Sequence, residues 1–126
     1  MAQRVKRRGD DLARRLTEFA ARIGKVVDAL PDTRLGRHIA AQLVRCGTAG
    51  GPNYAEARAA ESKKDFVHKM AISLKELRES EYWLDLIVCA ELLPEMRLSP
   101  LLDENDELIA IFVSSITTAK SRKPAS

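Results

Sequence analysis

Asp65 and His68 stand three residues apart in a stretch that reads as helix, so a carboxylate and an imidazole share one face. That spacing is half of the ligand set with which di-iron helical bundles hold metal, but such bundles need two such pairs and two further glutamates. The only other histidine, His38, has Leu35 three residues before it, so the pair reads as a helix-surface contact. Glu76, Glu79 and Glu81 offer carboxylates, yet no nucleophile and base stand at a recognisable spacing. No catalytic residue, metal site or cofactor is expected, and the chain reads as a non-enzyme.

Between Gly47 and Pro52 three glycines and a proline fall within six residues, a composition that could cradle a phosphate. A Walker-type loop, however, needs a lysine and a Ser or Thr after its last glycine, and here Gly51 is followed by Pro52 and Asn53. A dinucleotide fingerprint needs a preceding strand, and what precedes is amphipathic helix. The apolar spacing continues from Cys46 through Gly50 and Tyr54 to Ala57, which predicts a continuous but deformed helix. Each interior glycine costs about 0.5–1 kcal/mol relative to alanine, and Pro52 removes one backbone hydrogen bond. A Gly47-x-x-x-Gly51 seam that lets a neighbour approach, with a kink at Pro52, is the expected compensation. Asn53, Glu56 and Glu76, with Arg45 and Arg58, are read as a structural polar network around that kink.

These residues must be carried by helices. Ala, Leu, Arg and Glu dominate, aromatics are 5%, and the hydrophobic share is 45%. In the first segment Leu12, Leu16, Phe19, Ile23, Val26 and Leu30 keep the spacing of one helical face, from about Asp10 to just before Pro31. A second helix, capped by Asp32 or Thr33, carries Leu35, Ile39, Leu43 and Cys46 inward. A third opens at Ser62, with Asp65 as its capping-box partner, and ends near Leu93. Its main stripe runs through Phe66, Met70, Ser73, Leu77 and Leu84. Opposite it gather Ile72, Glu79, Tyr82, Trp83 and Leu86, which predicts an oligomer interface. A fourth, after the prolines of residues 93–100, carries Leu101 or Leu102, Leu108, Ile109, Phe112, Val113 and Ile116. The fold class expected is an all-α, antiparallel up-and-down four-helix bundle with a kinked second helix.

The 126 residues fit one domain: a basic arm over 1–9, the bundle over 10–119 and a basic tail over 120–126. The net charge is only +3, but it is unevenly placed. Arg4, Lys6, Arg7, Arg8, Arg14 and Arg15 open the chain, and Lys120, Arg122 and Lys123 close it. Cys46 and Cys89 lack CxxC spacing and read as reduced thiols. No apolar run approaches the roughly 20 residues of a membrane span, and a cytoplasmic location without membrane contact is expected.

The run from Gln42 to Ile87 resembles the four-helix bundle family first noticed as reading frames in intervening sequences of bacterial 23S ribosomal RNA genes. The resemblance is carried by Gln42-Leu43 with Arg45, Asn53-Tyr54 with Glu56-Ala57, Ser62, Asp65-Phe66, Ser73-Leu74 with Glu76, and Glu81-Tyr82-Trp83-Leu84. It extends weakly from about Phe19 to Ile116. Members commonly have a Ser near Cys46 and a β-branched residue near Ala49, where this chain differs. The resemblance implies a bundle assembled as a ring, commonly a homopentamer. Related accessory proteins of diversity-generating retroelements imply nucleic acid and a reverse transcriptase as partners, and no catalytic residues.

The expected function is therefore binding of RNA or DNA through phosphate contacts, with Arg4, Lys6, Arg7, Arg8, Arg14 and Arg15 first and the C-terminal cations second. No aromatic stacking platform is expected, hence no base reading. The competing expectation is a protein scaffold that uses the surface of Tyr82 and Trp83.

Overall fold

The computed structural model describes residues 7–122, and those residues form an all-helical bundle without a strand. Its elements are α1 (Asp10–Ala29), α2 (Arg34–Gly47), α3 (Gly50–Arg58), α4 (Lys63–Cys89) and α5 (Glu95–Ser121). Among the described residues no helix is long and apolar enough to cross a membrane. The core is built from one stripe of each long helix: Phe19 and Ile23 of α1, Ile39 and Leu43 of α2, Leu77 and Leu84 of α4, and Leu108 and Phe112 of α5. Leu35 and Val113, expected inside, are 41% and 39% exposed. Gly36 takes the inner position one residue after Leu35, because a Cβ there would stand 2.1 Å from the Pro31 carbonyl oxygen.

The helix starts follow local chemistry. Thr33 accepts from the Gly36 N–H at 3.0 Å and so caps α2, while Asp32 pairs with Arg37. Ser62 caps α4 by accepting from the Asp65 N–H, also at 3.0 Å. At α1 the cap is Gly9, in a left-handed conformation (φ 88°), and Asp10 is the first helical residue. Asp10 accepts from the Arg7 backbone N–H at 2.5 Å.

The expected continuous second helix is interrupted, and the interruption is not at the proline. It falls at Thr48 and Ala49, both with right-handed helical dihedrals, while Pro52 occupies the first turn of α3, where its missing N–H costs nothing. The Thr48 hydroxyl donates to the Val44 carbonyl at 2.6 Å. The glycine seam also differs from expectation: it is Gly47 and Gly50, and it faces α1 within the same chain. A Cβ on Gly47 would meet Ile23 Cγ2 at 2.7 Å and one on Gly50 would meet Leu16 Cδ2 at 3.3 Å, whereas Gly51 has 3.9 Å of clearance from Leu16.

The α4–α5 junction is tighter than expected. α4 ends at Cys89, four residues before Leu93, in a Schellman motif: the Leu92 N–H donates to the Ile87 carbonyl and the Glu91 N–H to that of Val88, both at 3.0 Å. Glu91 takes the left-handed conformation there (φ 56°). α5 begins at Glu95 and runs through Pro100, which lacks the N–H that would bond the Met96 carbonyl.

Candidate nucleic-acid interface

The two basic ends of the chain, far apart in sequence, meet at one end of the bundle. Arg7 and Arg8, preceding α1, and Arg122, following α5, line a single cleft of about 1140 Å³ together with Arg58 and Lys63. Arg8, Gly9 and Arg122 are held there through hydrogen bonds to their backbone carbonyls. Arg58 Nη2 donates to the Arg8 carbonyl at 2.8 Å and pairs with Asp10 at 2.9 Å. The Tyr54 hydroxyl reaches the Gly9 carbonyl at 3.3 Å, and Lys63 Nζ donates to the Arg122 carbonyl at 2.7 Å. Burial pushes the Tyr54 phenol up. Gly9 is required at this contact, since a Cβ would stand 2.6 Å from the Tyr54 oxygen.

The other basic residues are distributed unevenly. Arg4, Lys6 and Lys123 lie outside the described residues. Arg14 pairs with Glu18 along the surface of α1 at 3.1 Å. Arg15 is held between Glu104 at 2.6 Å and Glu107 at 2.8 Å, so its charge is locally balanced. The Arg15 guanidinium holds the Glu104 carboxyl below the usual carboxylate range. Lys120 stands in the last turn of α5 and is exposed.

Aromatic groups also line the cleft beside the cations. Tyr54 and Phe66 line it with Leu12 and Met70, and the Arg58 guanidinium lies 5.8 Å from the centre of the Tyr54 ring. Nothing in the local spacing announces this grouping. It arises because the beginnings of α1 and α4 and the ends of α3 and α5 share one pole of the bundle.

The polar residues near the helix break separate into four groups. Arg45 bridges to Glu76 at 3.1 Å and Glu79 at 2.6 Å on α4, and its hydrogen bond lowers the Glu79 carboxyl. Asn53 donates to the Ala49 carbonyl at 2.9 Å, within the break itself. Glu56 lies 3.6 Å from Lys69, and Arg58 belongs to the cleft. Two buried serines of α4 face the break: Ser73, which the sequence places on the main stripe, and Ser80, which it does not single out. Ser73 donates to the Gly50 carbonyl at 3.0 Å, and Ser80 to Cys46 Sγ at 3.3 Å. Their signal was two hydroxyls within the apolar stripe of α4, beside a helix whose own bonding is broken. Cys46 is buried, which raises its thiol pKa, while Cys89 is exposed.

On the opposite stripe of α4, Tyr82 projects with 59% exposure while Ile72, Trp83 and Leu86 are half-buried. Trp83 packs edge-on against His38 of α2, with ring centres 5.6 Å apart, and against Tyr82 at 5.0 Å. Its indole N–H helps hold Glu79 acidic, but makes no hydrogen bond of good geometry. Asp65 and His68 have no third metal-ligating neighbour, and no group of three such side chains occurs among the described residues. Glu81 of α4 hydrogen-bonds Asp106 of α5, and this contact pushes the Glu81 carboxyl up to about 7.

An all-helical bundle with a glycine-marked break in its second rod and a basic pole is the class of protein that this geometry defines. The chain belongs to the family described as 23S rRNA-intervening sequence protein, which it matches over residues 11–114. A crystal structure of a protein of unknown function, from the S23 ribosomal protein family of Bacteroides thetaiotaomicron, is similar to it. That similarity has a TM-score of 0.77 and 32% identity, covering 82% of this chain and 96% of the other. No curated protein matches the chain.

Proposed function

We propose that the protein is a non-catalytic accessory protein of the cytoplasm that binds RNA or DNA through phosphate contacts at its basic pole. The carrying observation is that Arg7, Arg8 and Arg122, drawn from opposite ends of the chain, line one cleft. Cations gathered at one pole focus a field that a net charge of +3 spread over the surface would not produce.

An antiparallel up-and-down topology suits the contacts. Arg45 and His38 of α2 meet Glu79 and Trp83 of α4 in opposite chain order, as do Lys63 and Glu81 of α4 with Arg122 and Asp106 of α5. Assembly into a homo-oligomeric ring, a pentamer as the family resemblance implies, would repeat the basic pole around an axis and strengthen it. Exposed Leu35 and Tyr82, on either side of the His38–Trp83 contact, support such a contact surface. The same surface favours a second reading, a scaffold for a protein partner such as a reverse transcriptase. Titrating labelled RNA and DNA at low and high salt tests the function: steeply salt-weakened binding is expected, and no binding at low salt would refute it.

A further inference from the structure

We propose that the cleft at the basic pole accepts an unpaired nucleotide, so that the protein prefers single-stranded nucleic acid to duplex; this rests on the phosphate-binding reading above. The cleft's charge is the first reason. Arg7, Arg8, Arg58, Lys63 and Arg122 outnumber the acids beside them, Glu61 in the lining and Asp10 paired with Arg58, whereas the whole chain has an excess of only three positive charges. The positive character of the protein is thus concentrated at this pole, and the complementary ligand is an anion.

Its lining is the second reason. A surface that only tracked a phosphate backbone would be shallow and polar. The lining here includes Leu12, Phe66 and Met70, apolar side chains that accompany the cations. The ligand that fits carries negative charge joined to a flat or apolar body, which is the chemistry of a nucleotide whose base has left the stack. Phe66 lines the cleft and is half-buried rather than sealed in the core.

Size and hydrogen-bonding capacity agree. About 1140 Å³ slightly exceeds the roughly 300–1,000 Å³ typical of ligand pockets, enough for a base with its sugar and phosphate. Ser114, Ser115 and Thr118 place three hydroxyls of α5 along one wall, and hydroxyls donate to or accept from any base edge without selecting one. In a duplex the bases are paired and stacked, so only the rim would be engaged.

The test measures binding of the full-length protein, by fluorescence anisotropy at low salt, to a short labelled single strand and to the duplex made with its complement. The single strand is expected to bind about tenfold more tightly. Thr118→Trp, which fills the cleft without changing charge, is expected to lower single-strand affinity about tenfold and leave duplex affinity unchanged. Ser114→Trp provides a second blocking position should the first variant lose helical circular dichroism. Equal affinity for both forms, or blocking variants that bind the single strand as well as wild type does, would overturn the cleft proposal while leaving phosphate binding intact. Failure of wild type to bind either form would overturn both.

Discussion

Gly47 packs so closely on Ile23 that a Cβ at the glycine would lie 2.7 Å from Ile23 Cγ2. The α1–α2 contact therefore depends on a missing side chain. Gly47→Ala is expected to destabilise the fold by about 1–2 kcal/mol, overpacking outweighing alanine's better helix propensity. Gly24, in the middle of α1, has nothing within 4 Å of the corresponding Cβ position. Gly24→Ala is expected to stabilise by about 0.5–1 kcal/mol. Urea unfolding of both variants at matched protein concentration checks this, and shifts in the same direction would contradict it.

Glu81 introduces a pH dependence of opposite sign to that of a salt-bridged acid. Its folded-state pKa is about 7 against an ordinary 4.5, so between those values the folded protein holds more proton than the unfolded chain. This contribution is fully present below about pH 4.5 and is lost as pH rises through 7. Glu79 and Glu104, held low by Arg45 and Arg15, act in the opposite sense and lose their contribution as pH falls below the ordinary carboxylate range. Glu81→Gln should therefore raise stability near neutral pH and flatten its decline between pH 5 and 7. Discounted for solvent screening, the gain at neutral pH is about 1 kcal/mol. Denaturant unfolding of wild type and variant at both ends of that range measures it.

Glu91 bears a side chain where the Schellman turn after α4 favours glycine, at φ 56°. Glu91→Gly is expected to raise stability by about 1 kcal/mol, because relief of the left-handed strain exceeds the entropy that glycine adds to the unfolded chain. Thermal unfolding should show a higher midpoint for the variant.

Much of the fold was legible because each helix carries one apolar stripe and most carry a recognisable start. Thr33 and Ser62 are caps that local chemistry dictates, and Leu16, Phe19 and Ile23 fall on one side of a helix whatever surrounds them. The departures lie where tertiary contacts overrule local rules. Pro52 suggested a kink at itself, yet a proline in the first turn of a helix starts it, and the break moved upstream to Thr48. Prolines 94 and 100 suggested a loop, but Pro94 stands at the N-cap of α5 and Pro100 is carried within that helix. The candidate site was legible in composition but not in place. Arg8 and Arg122 read as separate tails, and only the bundle's connectivity brings them to Phe66 and Tyr54.

Tyr82 offers a direct handle on assembly. It is 59% exposed, so Tyr82→Glu should change the stability of the isolated protomer by no more than about 0.5 kcal/mol. In a ring built on this face, a charge at that position opposes association. Light scattering is expected to give a multiple of 14.0 kDa for wild type and a smaller particle for the variant. Identical masses would move the contact surface elsewhere.

The basic pole itself is tested most directly by the salt dependence of nucleic-acid affinity, compared between wild type and a variant with Arg7, Arg8 and Arg122 all changed to Gln. Each phosphate contact removed should flatten the plot of log affinity against log salt by about 1, together with weaker binding at low salt. A variant with the slope and affinity of wild type would contradict the pole as the nucleic-acid surface.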